Sequence, residues 1–206
     1  AKRAGVLLFS ASALLLLTGA TNWGSTVSRT EMGAHVFGNP AAKVKLVEYF
    51  SYTCSHCADF ARDADSGLHQ NYIAKGKVQV EYRNLVRDPI DITAALLARC
   101  GAPSAFYGNH KAIMASQQSW GPNMQKASEA RQKLWAEGSI GDRAQAIAVD
   151  TGLKALMQGR GYTDAQLNAC LTSQPAMDAL QAMSNQGRTV DKVTGTPSFF
   201  INGKAM

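Results

Sequence analysis

Two cysteines separated by two residues, Cys54 and Cys57 in "EYFSYTCSHCADF", follow directly on an apolar run. Such a pair can exchange electrons, hold a metal or staple a turn. Structural zinc sites with this spacing need a second such pair or histidines close by. The remaining cysteines, Cys100 and Cys170, stand 70 residues apart with no histidine at metal-site spacing, and His56 is not placed as a fourth ligand. No metal or other cofactor is therefore expected. A disulfide across so short a loop restrains little unfolded-chain entropy, which weakens the staple reading. The redox reading has a physical basis at each position. A strand feeding a helix at Cys54 brings its sulfur to the unpaired N–H groups and positive dipole end of the helix N-terminus, and both favour a thiolate. His56 would stabilise the same anion if its ring reached back as a cation or a donor. A stabilised thiolate makes the disulfide more oxidising. Cys57, one turn further in and shielded by the helix, suits a resolving role.

The flanking pattern supplies that strand and helix. "KVKLVEYF", residues 43–50, reads as a strand buried on both sides, and residues 55–73 have helical character, with Phe60, Ala64 and Leu68 at four-residue spacing. "KVQVEYR" alternates Val78, Val80 and Tyr82 on one face, a second strand. Together they form a βαβ unit with Cys54 at the join. From Ile90 to Gln186 the pattern is almost wholly helical, with segments near 91–100, 103–117, 123–137, 141–158, 163–172 and 174–186. "PSFFING", residues 197–203, returns to strand, and its Asn-Gly suggests a hairpin into a further strand outside the sequence. The expected class is α/β, one domain of 206 residues with a helical block inserted between strands of one sheet.

The opening residues bear on compartment. Lys2 and Arg3 precede an apolar stretch from Val6 to Leu17 and then Thr18, Gly19 and Ala20, the order of a bacterial secretory signal over residues 1–20. That stretch is short of the roughly 20 apolar residues a spanning helix needs. Residues 21–37 read as a flexible linker. Of 21 basic and 15 acidic side chains, 19 and 15 remain after the signal, a mild excess without basic blocks or interleaved aromatics, so nucleic acid binding has no support. Disulfides persist outside the cytosol. In that setting Cys100 and Cys170, both late in expected helices, are expected to form a structural disulfide; the alternative is two separately buried free thiols.

Three segments, "YFSYTCSHCADF", "VEYRNLVRDPIDITAALLARCG" and "VTGTPSFFING", together resemble the DsbA-like thiol:disulfide oxidoreductases, a branch of the thioredoxin superfamily, over roughly residues 38–204. The resemblance implies a thioredoxin-like domain over 38–206, with the helical insertion at about 90–187 lying between the βαβ unit and the cis-Pro strand. It implies that Cys54 is the exposed nucleophile, Cys57 its partner, and Pro197 a cis proline facing them, with the backbone of Thr196 available to a substrate chain. Glu48, six residues before Cys54, resembles the buried acid that moves a proton at the resolving cysteine; the plain alternative is a strand glutamate facing solvent or a lysine. Ser55 stands where the familiar motif has Pro, and Thr196 where strongly oxidising members have Val, a choice shared with disulfide isomerases.

The expected function is oxidation of cysteine pairs in exported, unfolded or partly folded substrate proteins in a bacterial periplasm, by a monomer; a membrane partner that reoxidises the pair is what the resemblance implies. An isomerase or reductase of the same fold is the nearer alternative, and a non-enzymatic peptide-binding or chaperone module the more distant one.

Overall fold

In the computed structural model, which describes residues 21–206, one sheet is built from β1 (Val27–Arg29), β2 (His35–Gly38), β3 (Val44–Phe50), β4 (Val78–Asn84), β5 (Ser198–Ile201) and β6 (Lys204–Ala205). The strand order is β1-β2-β4-β3-β5-β6. β3 and β4 are parallel, as a crossover through a helix requires. β5 returns antiparallel to β3, setting Phe199 opposite Glu48 and Ser198 opposite Tyr49. The crossover is α1 (Ser55–Phe60), which continues through a π turn at Ala61–Asp65, α2 (Ser66–Leu68) and a second π turn at His69–Ile73. Its buried residues are Cys57, Ala61, Asp65 and Ile73, whereas Ala64 is exposed and Phe60 and Leu68 only partly covered. The face expected from Phe60, Ala64 and Leu68 is therefore rotated. The displaced row includes an aspartate, which apolar periodicity does not register.

The insertion comprises α3 (Pro89–Ala98), α4 (Phe106–Ala115), α5 (Gln117–Trp120), α6 (Asn123–Lys126), α7 (Glu129–Leu134), α8 (Ile140–Thr151), α9 (Leu153–Gly159), α10 (Asp164–Leu171) and α11 (Gln174–Asn185). Local chemistry sets their starts. Asp88 caps α3 by accepting from the N–H groups of Ile90 and Asp91, with Pro89 in the first turn, where its missing N–H costs nothing. Reciprocal capping boxes open α8 (Ser139 with Asp142) and α10 (Thr163 with Gln166). The expected helix at 141–158 is two helices, because Gly152 adopts φ 84°, a left-handed conformation that ends α8. The expected helix at 123–137 likewise divides at Ala127, whose backbone is extended.

Two further expectations are corrected. Residues 21–37 are not a free linker: β1 and most of β2 lie in them, β2 pairs with β4, and Ala34, His35 and Phe37 are buried. These strands are only three and four residues long, and half of the inward face of β2 is a histidine, so hydrophobic alternation is too brief to mark them. The strand after Asn202-Gly203 begins within the sequence, as β6. The proposed signal, residues 1–20, lies outside the described residues.

Cys100, after α3, is joined to Cys170 near the end of α10 by a disulfide with the Cα atoms 5.5 Å apart. It closes a loop 70 residues apart in sequence, for which chain entropy gives a stabilisation of about 4 kcal/mol. Replacing both cysteines by Ala should lower the thermal unfolding midpoint by several degrees while leaving Cys54 reactive to thiol exchange, checked by calorimetry and a disulfide probe.

Candidate redox site at the strand–helix junction

Cys54 is the N-cap residue of α1, with extended backbone geometry, and Cys57 lies in its first turn. Both are thiols in this structure. Cys57 is fully buried and Cys54 is 5% exposed, so the expected exposed nucleophile presents only a sliver of its surface. What covers it includes the loop that enters β5. The Thr196–Pro197 peptide bond is cis, and the Cys54 thiol donates to the Thr196 carbonyl oxygen at 3.1 Å. Thr196 Oγ1 is itself buried without a partner, so a hydroxyl donor stands ready once the thiol ionises.

The two thiols are driven apart in acidity. Burial pushes Cys54 up, but hydrogen bonding from Thr196, then from the backbone and side chain of Cys57, and the charge of Arg87 more than offset it, leaving the thiol below its ordinary value. Burial holds Cys57 well above the ordinary thiol range, helped by the neighbouring Cys54. The pair therefore joins a more acidic thiol, Cys54, to a less acidic and fully buried one, Cys57.

His56 does not join this arrangement. Its side chain is 82% exposed, and Nδ1 lies 3.9 Å from the carboxylate of Asp59, one turn along the same helix. The lowering of Cys54 comes from Thr196, Cys57 and Arg87 instead, because a residue at the second helical position points outward from the turn. Glu48 is buried at 2% exposure, with Oε2 lacking a partner; burial first, and then the charge of Asp65, push its carboxyl well above the usual range. Cys100 and Cys170 lie apart, in the insertion.

Residues not singled out in the sequence brace the loop before Cys54. The Asp91 carboxylate accepts from Ser51 Oγ at 2.6 Å, from the Tyr52 N–H at 2.8 Å and from the Arg87 N–H at 3.0 Å. Asp88 accepts from Thr53 Oγ1 at 2.7 Å, and Gln117 Nε2 donates to the carbonyls of Tyr52 and Cys54 at 2.7 and 3.0 Å. The insertion thus holds the strand-to-helix junction from outside. The Asp88 N-cap signal was visible in "RDPID", but its partner Thr53 is 35 residues distant and carries no local mark. Among the described residues no cluster of His, Cys, Asp and Glu has the makings of a metal site. A cavity of about 650 Å³ lined by Arg29, Arg99, Cys170 and Pro175 lies elsewhere and touches neither Cys54 nor Cys57.

Comparison with known proteins places this geometry. The family described as Thioredoxin matches residues 30–206. The crystal structure of a protein-disulfide isomerase from Novosphingobium aromaticivorans is similar at TM-score 0.79 and 39% identity, covering 84% of this chain and 88% of the other. The Wolbachia pipientis alpha-DsbA1 crystal structure shares the fold at TM-score 0.64 and 24% identity, covering 82% and 74%. A Rickettsia bellii protein, provisionally named a protein-disulfide oxidoreductase, is 31% identical over 169 residues, 82% of this chain and 56% of its own length. The chain thus spans about half the length of the curated relatives it matches.

Asp91 gives a test of the bracing loop. Burial raises its carboxyl from 3.8 to about 6, against the lowering effect of its bonds from Ser51 and Tyr52. The folded protein therefore holds this proton more tightly than the unfolded chain, and the stability linked to it is present below about pH 4 and lost as pH rises towards 6. The stability difference between the protein and Asp91→Asn, read from urea unfolding, should move in the variant's favour by about 2–3 kcal/mol across that window. A difference that is flat with pH would contradict this.

Proposed function

We propose, for a chain that belongs to the thioredoxin family and has its DsbA-like fold, that the Cys54–Cys57 pair oxidises thiols of exported substrate proteins by disulfide exchange. The observation that carries this reading is the opposed acidity of two thiols one helical turn apart, with Cys54 held below its ordinary value. A lowered thiol favours the reduced enzyme and so makes its disulfide an oxidant. In the forward step a substrate thiolate attacks Cys54 Sγ of the enzyme disulfide, and Cys57 departs as a thiolate and takes up a proton. A second substrate thiol then attacks the mixed disulfide, leaving the substrate oxidised by two electrons and both enzyme cysteines reduced.

In this reading Cys54 is the nucleophile and Cys57 the resolving residue. Thr196 donates to the Cys54 anion, Pro197 shapes the facing loop, and Glu48 exchanges a proton with Cys57. His56, turned towards Asp59, acts only through the local field. Substrates would be unfolded or partly folded proteins bearing thiols in the bacterial periplasm, with a membrane-bound disulfide source restoring the pair. Residues 1–20 serve as the export signal, and residues 38–206, joined by β1 and β2, form the working domain. A second reading, disulfide isomerisation, is supported by Thr196 before the proline and by the name carried by the 39%-identical Novosphingobium relative.

One experiment separates the two. Oxidised protein mixed with a reduced dithiol peptide should yield peptide disulfide stoichiometrically and leave Cys54 and Cys57 alkylatable, with Cys54→Ala inert. No peptide oxidation, together with re-sorting of a scrambled substrate by the reduced protein, would overturn the oxidase reading in favour of isomerisation.

A further inference from the structure

Arg99, the last residue of the turn that closes α3, is the one lysine or arginine that is buried among the described residues, at 8% exposure. None of the ion pairs among those residues involves it or Arg29. Arg99 Nη2 donates to the carbonyl oxygen of Gly33, in the turn that joins β1 to β2, while Nη1 has no partner. Arg29, at the end of β1, donates from Nε to His35 Nε2 at 3.3 Å. With Nε2 accepting, the ring proton of His35 sits on Nδ1, which is also buried without a partner. The crowding of basic groups shows in their acidity: burial, then the charges of Arg99 and Arg29, push His35 down to about 2, and burial, then Arg29, bring Arg99 down to about 10. A buried cation that has no anion is strongly unfavourable, and an anion brought to it relieves that penalty.

Arg29 and Arg99 both line the cavity of about 650 Å³ that stands apart from Cys54 and Cys57. Its volume is that of a site for a small molecule. Ser173 and Pro175 bring to the same wall the first turn of α11, a 12-residue helix whose N-terminus favours negative charge. Ser173 Oγ accepts from the Ala176 N–H, and its own hydroxyl proton is left to give. Met32, Leu96, Ala176, Ala179 and Ala182 make the rest of the wall apolar. The wall is held firmly, because Gly33, at φ 84°, packs so close to α11 that a Cβ there would stand 2.7 Å from the Ala179 Cβ. Glu31 and Asp178 line the cavity as well, both on exposed positions, and Asp178 accepts from Gln174 Nε2 at 2.8 Å. These two carboxylates oppose any ligand that carries a second negative charge.

We propose that this cavity binds a small monocarboxylic acid with an apolar body, its carboxylate between Arg29 and Arg99 and its apolar part along Met32, Leu96 and the alanine face of α11. The site is separate from the redox pair, so the proposal goes beyond the exchange at Cys54 and does not rest on it. A planar carboxylate suits the fork of a guanidinium, and the Ser173 hydroxyl is a third donor within the same wall. As the Arg99 side chain lies, water does not reach Nη1, so binding includes a turn of the guanidinium towards the carboxylate. Phosphate would suit the fork equally well. Its second charge would meet Glu31 and Asp178, however, and it has nothing to lay against Met32 and Leu96.

The test titrates octanoate into the full chain and follows the backbone amides by NMR. Saturable shifts should centre on Gly33, Ala176 and Ala179 and leave Cys57 in place. Octanol, which keeps the chain and lacks the charge, and acetate, which does the reverse, should each bind at least about tenfold more weakly. Arg29→Gln, at an exposed position, should weaken octanoate about tenfold, the loss expected for one charge-assisted hydrogen bond, and Arg99→Met should weaken it at least as much. Ala182→Phe narrows the apolar end without touching either guanidinium, so it should also weaken octanoate and provides a readout if Arg99→Met does not fold. No saturable shift at Gly33 or Ala179, or an affinity indifferent to both Arg29→Gln and Ala182→Phe, would overturn the site. Tighter binding of inorganic phosphate, or of a short peptide through its C-terminal carboxylate, would overturn the assignment to a small monocarboxylic acid.

Discussion

The exchange proposed for this site requires a negative charge on Cys54 in a place that is almost closed to water, and the rest of the site can be understood from that constraint. Only 5% of the residue is exposed, so bulk solvent cannot carry the charge. The protein replaces water with fixed donors: the backbone of the first turn of α1, the Thr196 hydroxyl and, at longer range, Arg87. Each works only if the strand-to-helix junction and the Thr196–Pro197 loop hold their separation. The sulfur that donates to the Thr196 carbonyl at 3.1 Å when protonated would, as an anion, accept from the hydroxyl of the same residue. The pair of donor and acceptor on one residue lets the loop serve both protonation states.

The helical insertion then has a mechanical purpose. α3 sends Asp88 and Asp91 to residues 51–53, and Gln117 bonds the carbonyls of Tyr52 and Cys54, so the loop before the nucleophile is fixed by side chains from two separate parts of the insertion. The far end of α3 is in turn tied to α10 by the Cys100–Cys170 bridge. The hydrogen bonds to the loop before Cys54 thus come from elements that are themselves tied together well outside the βαβ unit. Behind the helix, Cys57, Ala61 and Asp65 share one buried face.

How much of this could be read from the chain depends on whether the signal is local. The Cys54–Cys57 spacing, the β3 and β4 patterns and Pro197 are local and were legible, and the α/β class with a helical insertion follows from them. β1 and β2 were hidden because strands of three and four residues with a buried histidine have no alternation to display. The burial of Asp65 was hidden because a carboxylate reads as a solvent-facing residue unless Tyr82, 17 positions away, is known to meet it. His56 shows the opposite failure. Its chemistry suited the thiolate, but its place on the helix turns the ring to Asp59.

The most direct test of the Cys54 charge as an oxidising device is the reduction potential of the Cys54–Cys57 pair, measured by equilibration in glutathione buffers and mass analysis of trapped thiols. The stabilised anion should give a value above about −200 mV, with Thr196→Val shifting it because the hydroxyl donor is lost. A value near −270 mV, indifferent to Thr196, would contradict the oxidant assignment and mark the pair as a reductant.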